Sequence, residues 1–167
     1  MEKLLILGAG GFGRMIARMA EETGQYEKIA FLDDNSTDPR VVGKLNDYAR
    51  FAGQYTQALA AIGNNALRLE LTGKLKTAGF VTPVFVFHPA YVSPSVPIGG
   101  GTFVLPGAVI NPGARVGEGC IINCGAIVDH DAVIEDGVHV CMNAVIKSAS
   151  RVSCCTKVEA GQVVEQR

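Results

Sequence analysis

The stretch VLPGAVINPGARVGEGCIINCGAIVDHDAVIEDGVHV, from Val104 to Val140, carries Val or Ile at every sixth position: Val104, Ile110, Val116, Ile122, Val128, Ile134 and Val140. The same phase extends back to Val92 and Ile98 and forward to Ile146, Val152, Val158 and Val164, thirteen positions without an exception. Between Val92 and Arg167 there are 21 Val and Ile residues, so thirteen of 21 share one of six possible phases, a segregation that chance composition does not produce. A helix repeats at 3.6 residues and a strand at 2, so a period of six requires short strands joined by corners along a coiled path. Four positions beyond the anchor the residue is small or β-branched in eleven of the first twelve hexads, and only Gln162 departs. Three positions beyond it stand Gly101, Gly107, Gly113, Gly119, Gly125, Asp131, Gly137, Asn143 and Gly161, residue types that tolerate φ > 0 and therefore suit a repeated corner. With three hexads to a turn, the anchors make about four coils and a prism roughly 20 Å tall.

Before Val92 the pattern changes. Leu4 to Leu7 reads as a strand and Gly8 to Gly13 as a turn; Met15, Ile16, Met19 and Ala20 then recur at helical spacing up to Gly24. A second strand, Ile29 to Leu32, ends on Asp33 and Asp34, and a third, Ala58 to Ile62, runs into Gly63-Asn64-Asn65. Asn64 or Asn65 suits the N-cap of a helix over Ala66 to Ala78, and Val84 to Phe87 reads as the last strand of this half. Ser36 to Gln57 offers one short strand near Val41-Val42. Strands alternating with helices imply a small parallel sheet with helices on its faces. The expected domains are residues 1–87 and 88–167.

The 15 Lys+Arg balance 16 Asp+Glu over 167 residues. A pI near 6.3 with no run of like charge lacks the electrostatic footprint of a nucleic-acid binder. The apolar runs are far shorter than the roughly 20 residues needed to span a bilayer, and the N-terminus lacks the basic region and cleavage site of a signal peptide, so Met1 is expected to begin the mature chain. Five cysteines, an odd number with no CxxC pair, fit a reducing cytoplasm.

The segments LILGAGGFGR (5–14), FLDD (31–34), AIGNNALR (61–68), HPAYVSPS (88–95) and INCGAIVDHDAVIEDGVHV (122–140) together resemble the hexapeptide-repeat acyltransferases that acetylate nucleotide-linked amino sugars or sialic acid. The resemblance implies a Rossmann-like N-terminal α/β domain, a left-handed parallel β-helix, a homotrimer, and acetyl-CoA lying in the groove between neighbouring prisms. Nucleotide-sugar N-acetylation in surface glycan synthesis is the leading expectation; sialic acid O-acetylation and a non-catalytic nucleotide-sugar-binding scaffold are the alternatives.

By the resemblance His130 is the general base. A neutral imidazole is suited to take the proton that an amine or hydroxyl loses on attacking a thioester, and an adjacent carboxylate, Asp129 or Asp131, would hold its tautomer. Asp131 also occupies a corner position, where Asp serves equally to tolerate φ > 0. The resemblance further implies that His139 contacts acetyl-CoA or the substrate, that Asn143 and Ser148 border acetyl-CoA, and that Asn123 bonds the sugar or orients the acetyl group. A backbone N–H at the start of the following coil would hold the oxyanion. Three histidines without Glu or Cys at ligand spacing argue against zinc.

Gly8, Gly10 and Gly13 spell G-x-G-x-x-G between a strand and a helix, with acids twenty residues on, the dinucleotide fingerprint taken alone. This half is too short for a second mononucleotide unit. It reads instead as a nucleotide-sugar cradle in which Gly8, Gly10, Gly11 and Gly13 let backbone N–H groups approach a diphosphate at a helix N-terminus. By resemblance Asp33 and Asp34 face the base or ribose, and Asn64 borders the same ligand. Departures from the family pattern are Phe12 where a His is usual, Lys147-Ser148 where Ala-Gly is usual, and an end at Arg167 about two coils early.

Overall fold

The computed structural model describes residues 1–165, so the expected end of the coils at Arg167 lies outside the described residues. It separates into two compact units, Met1–Pro83 and Val84–Arg167. The split precedes the boundary expected after Phe87.

The first unit is a parallel sheet in the order β3-β2-β1-β4, formed by β1 (Glu2–Leu7), β2 (Tyr26–Leu32), β3 (Val41–Gly43) and β4 (Gln57–Ala60). Leu4 to Leu7 are fully buried, the continuous apolar run of a strand covered on both faces. Helix α1 (Gly11–Glu22) follows β1 and buries Gly13, Ile16, Ala17 and Ala20. The stripe expected through Met15 is rotated by one residue, leaving Met15 36% exposed. The turn before α1 is obligatory glycine at two points. Gly8 has φ +103°, and a Cβ on Gly13 would lie 1.9 Å from the Gly8 carbonyl oxygen. Helix α2 (Asn65–Thr77) is capped by the Asn64 side chain, which accepts from the Leu67 N–H at 3.0 Å. Between β3 and β4, where the sequence offers no regular pattern, Leu45–Phe51 forms a 3-10 helix.

The second unit winds two-residue strands into three parallel sheets. One holds β5 (Phe85–Val86), β7 (Phe103–Val104), β10 (Ile121–Ile122), β13 (His139–Val140) and β16 (Lys157–Val158). The next holds β6 (Tyr91–Val92), β8 (Val109–Ile110), β11 (Ile127–Val128), β14 (Val145–Ile146) and β17 (Val163–Val164). The third holds β9 (Arg115–Val116), β12 (Val133–Ile134) and β15 (Arg151–Val152). Partners are eighteen residues apart, as in Phe103↔Ile121↔His139, which is three hexads per coil. The anchors from Val104 to Val158 form one buried column with Ala108, Ala114, Cys120, Ala126, Ala132, Val138 and Ala144.

Three columns of corners carry positive φ. They are Gly101, Gly119, Gly137 and Cys155; Gly107, Gly125, Asn143 and Gly161; and Gly113, Asp131 and Ala149. Ala149 and Cys155 adopt φ +56° although their residue types give no sign of it, because corner geometry is imposed by the pairing above and below. The segment Val84 to Phe87 corrects the expectation that it closes the N-terminal sheet. Phe85–Val86 pairs with Phe103–Val104 and is the first strand of the coil, since a short apolar run fits either sheet equally and the pairing partner decides.

Candidate functional site

In the first unit the chain leaves β1 toward β2 and β3, then returns to the opposite side of β1 with β4. The connections after β1 and β4 therefore diverge at the carboxyl ends of adjacent strands, and such switch points in parallel sheets open a crevice. A cleft of about 310 Å³ lies there, lined by Gly8, Gly10, Gly11, Phe12, Asp33, Asp34 and residues of the turn after β4. Its floor is the start of α1, whose N-cap Gly10 supplies no side-chain cap and whose first turn has no acidic residue. Such a helix start favours an anion. Gly13 does not line the cleft; it lets α1 close on Gly8.

The acids in this cleft have internal duties. Asp33 Oδ2 accepts from the Ala9 N–H at 2.7 Å, and Oδ1 accepts from the Asn35 and Ser36 N–H groups at 2.9 and 2.7 Å. Burial pushes the Asp33 carboxyl up, but those three N–H groups and Lys44 outweigh it, so it titrates below the usual carboxylate range. Asp34 Oδ1 accepts from the Leu45 N–H at 3.1 Å, and the Asn64 side-chain oxygen is committed to its helix cap. These side chains shape the cleft by holding its loops. Sequence reading missed Arg68, which is fully buried and donates to the Ile62 carbonyl at 2.9 Å and to Asn65 Oδ1 at 2.8 Å, fixing the turn that forms one wall. Its signal was helical spacing, since Arg68, Leu71, Thr72 and Leu75 share the buried face of α2.

In the second unit His130 occupies the corner between β11 and β12. Its Nδ1 lies 2.8 Å from Asp131 Oδ2, and the two side chains are 59% and 66% exposed. Asp131 has φ +60°, so the corner and the partner roles coincide in one residue. Its carboxylate lies over Gly113 one coil below, where a Cβ would stand 2.2 Å from Oδ1. Asp129 does a different job. Its Oδ1 accepts from the Asn111 amide at 2.9 Å and from the His130 N–H at 2.8 Å, and the Ser148 backbone N–H adds a further bond. The Asn111 amide, ahead of those N–H groups, draws the Asp129 carboxyl below its ordinary range. Asn111 also went unread in the sequence, although it sits eighteen residues before Asp129 at the equivalent point of the preceding coil. The bond from Asp131 is the main cause, with the negative charges of Asp129 and Asp131 adding to it, that raises the His130 pKa above its ordinary value. The imidazole Nδ1 is thereby held against a carboxylate, leaving Nε2 as the atom able to take a proton.

Asn123 and His139 meet on the neighbouring face, with Asn123 Nδ2 3.0 Å from His139 Nε2. Asn123 Oδ1 accepts from the Cys124 N–H at 2.8 Å, which orients the amide so that its nitrogen donates and His139 Nε2 accepts, assigning the ring proton to Nδ1. Asn143 is an exposed corner residue at φ +56°, stacked over Gly125 in the coil below. Ser148 is half-buried at the corner directly above His130, where the Ala149 N–H donates to the His130 carbonyl at 3.0 Å. Among the described residues no three His, Cys, Asp or Glu side chains gather as a metal site would require.

The model of the PglD N-terminal domain family matches residues 3–75. Among solved structures, the acetyltransferase domain of PglB from Neisseria gonorrhoeae FA1090, in complex with acetyl coenzyme A, is 32% identical, with a TM-score of 0.92 over 99% of this chain and 82% of that one. The chain belongs to this sugar acetyltransferase family. PerB from Caulobacter crescentus, in complex with CoA and GDP-perosamine, is 27% identical with a TM-score of 0.84, covering 99% of this chain and 90% of that one. A mutant of the GDP-perosamine N-acetyl transferase from Caulobacter crescentus, with the same two ligands, is 26% identical with a TM-score of 0.83 at the same coverage. No curated protein sequence matches this chain. The α/β unit is followed by a left-handed parallel β-helix, the fold that this chain shares with these structures. Within this acetyltransferase fold Phe12, the departure from the family pattern noted in the sequence, lines the cleft, and Lys147 forms an ion pair with Glu165 on the outside of the coil.

Proposed function

We propose that this chain transfers the acetyl group of acetyl-CoA to the amino group of a nucleotide-linked amino sugar, acting in the cytoplasm in surface glycan synthesis. The observation that carries the proposal is the His130–Asp131 pair. It is an imidazole held at Nδ1 by a carboxylate at 2.8 Å, on a corner of a fold whose solved members bind acetyl coenzyme A, or CoA with GDP-perosamine. The sugar amine attacks the thioester carbonyl while His130 Nε2 takes its proton. Collapse of the tetrahedral intermediate releases CoA, and a backbone N–H of the following coil, close to Ser148, holds the oxyanion. The cleft beside Gly8 to Gly11 receives the diphosphate at the start of α1. Asn123 and His139 border the acetyl-CoA groove, with Asn143 further along it.

A homotrimer completes the site. The β6-β8-β11-β14-β17 sheet presents an outward ladder of Tyr91, Val109, Ile127, Val145 and Val163 in register, of which Tyr91, Ile127 and Val163 are 51%, 37% and 51% exposed. A flat apolar strip beside the base supports burial against a second copy, which would also exclude water from His130. The five cysteines stand as thiols, which suits a reducing compartment.

The test pairs two titrations with turnover. Calorimetry should detect separate binding of acetyl-CoA and of a UDP-, GDP- or CMP-linked amino sugar, and CoA thiol release should require both. Binding of nucleotide sugar without acetyl-CoA binding at millimolar concentration would replace the enzyme by a scaffold. Turnover with sialic acid, while every amino sugar fails, would change the acceptor to a hydroxyl.

A further inference from the structure

The corner after β15 holds two consecutive thiols that the acetyl-transfer reading does not use. Cys154 is exposed, Cys155 half-buried, and their sulfurs are 3.6 Å apart. The backbone beneath them is pinned at both residues. The Cys154 N–H donates to Glu135 Oε2 at 2.9 Å, and the Cys155 N–H donates to the Asp136 carbonyl at 2.9 Å. Glu135 is itself held by Arg151 at 2.5 Å. Cys155 has φ +56° in a column otherwise made of Gly101, Gly119 and Gly137, and the left-handed conformation turns its side chain back toward that of Cys154. An open cleft of about 570 Å³ on the β9-β12-β15 face, lined by Cys154, Arg115, Arg151 and Glu135, gives access.

We infer that Cys154 and Cys155 form a bidentate dithiol site for a soft, three-coordinate electrophile, of which a trivalent arsenic oxyacid is the chemical type. The sulfur separation decides between the fates open to such a pair. A disulfide needs sulfurs about 2.05 Å apart and Cα atoms about 4.4–6.8 Å apart, whereas neighbouring residues have their Cα atoms about 3.8 Å apart. Two sulfurs bound to one shared atom lie side by side without bonding to each other, and these already stand 3.6 Å apart. Zinc takes four such ligands, and among the described residues no third His, Cys, Asp or Glu completes a cluster. The fitting guest therefore takes two protein sulfurs and keeps its remaining ligand from solution. In the condensation two As–S bonds form and two As–O bonds break, each thiol proton leaving with a hydroxide as water; no electron changes hands. The reaction starts from thiols, and the bond to Cys155, then burial and the nearby carboxylates, raises the Cys154 pKa.

Phenylarsine oxide, whose phenyl group fills the third position, is the probe, and native mass spectrometry of the intact protein is the readout. One adduct per chain is expected. It should block alkylation of both cysteines, survive excess 2-mercaptoethanol and come off with dimercaptopropanol. Cys154→Ser and Cys155→Gly should each weaken binding by about 100-fold or more, the loss expected when a chelate becomes a single contact. Glycine suits φ +56°, so Cys155→Gly should fold by circular dichroism. Failure to bind, removal by the monothiol, an adduct that persists in both variants, or recovery of the pair as a disulfide that excludes the probe would each overturn the inference.

Discussion

Asp131 satisfies two demands with one side chain. Its backbone sits at φ +60°, which Asp and Asn accept more readily than other non-glycine residues, and its carboxylate holds His130 Nδ1. The demands can be separated experimentally. Asp131→Asn keeps the corner but removes the carboxylate whose hydrogen bond most raises the His130 pKa. On the proposed mechanism the base form of His130 exists above that pKa, so activity should fall as pH drops through it. In Asp131→Asn the acid limb of the kcat/KM profile should move to lower pH, with kcat reduced by about tenfold or more. His130→Ala should lower kcat by on the order of 10² or more while leaving nucleotide-sugar affinity nearly unchanged, because the cleft of Gly8 to Gly11 belongs to the other unit. A kcat unaltered in His130→Ala would leave the corner without a base. Asp129 is tied to Asn111 and two backbone N–H groups, so on this reading it positions the corner, and its loss should disturb the corner itself.

The coil from β14 to β15 fits its hexad less well than its neighbours do. Ala149 takes a conformation that costs an L-residue about 1–2 kcal/mol, and glycine would remove that cost while adding up to about 1 kcal/mol of backbone entropy. Ser150, at the small interior position, is 1% exposed, and its hydroxyl has no hydrogen-bond partner among the described residues. A buried unsatisfied hydroxyl costs about 1–3 kcal/mol, whereas five other hexads place Ala there. Ser150→Ala should therefore raise Tm by about 2–4 °C for each kcal/mol recovered, and Ala149→Gly should raise it by less. Calorimetric scans of the two variants would check this, and a lower Tm in Ser150→Ala would mean that the hydroxyl is satisfied in solution.

In the proposed function two units of different periodicity divide the work, one with a cleft at a strand switch point and the other with an imidazole on a corner. His130 is open to water in a single chain, so the proposed trimer is needed to enclose it. Ile127 lies midway along the exposed apolar ladder, pointing away from the interior column. Ile127→Lys should leave each prism folded but place an unpaired charge in the subunit contact. Light scattering should then return the mass of one chain in place of three, with acetyl transfer lost and nucleotide-sugar binding kept. A variant that stays trimeric would move the interface to another face.

The prism is legible in the sequence because six-residue periodicity is a local property: each anchor is buried by its own neighbours one coil above and below, whatever else the chain does. The glycine turn before α1 is legible for the same reason, since its crowding arises within a few residues. Other features depend on partners distant in sequence. The same short apolar run could pair with β4 or with β7, and Phe85–Val86 takes β7 because hydrogen-bond partners decide sheet membership. Asp33, Asp34 and Asn64 are the residue types that bind ribose or sugar hydroxyls, but folding brings backbone N–H groups to them first, from partners that the chain order alone does not name. Asp129 and Asp131 flank His130 equally along the chain; the one-residue reversal at φ +60° swings Asp131 onto the ring and leaves Asp129 facing Asn111 a full coil away in sequence. Adjacency in the chain named the two candidates, and the direction of the corner chose between them.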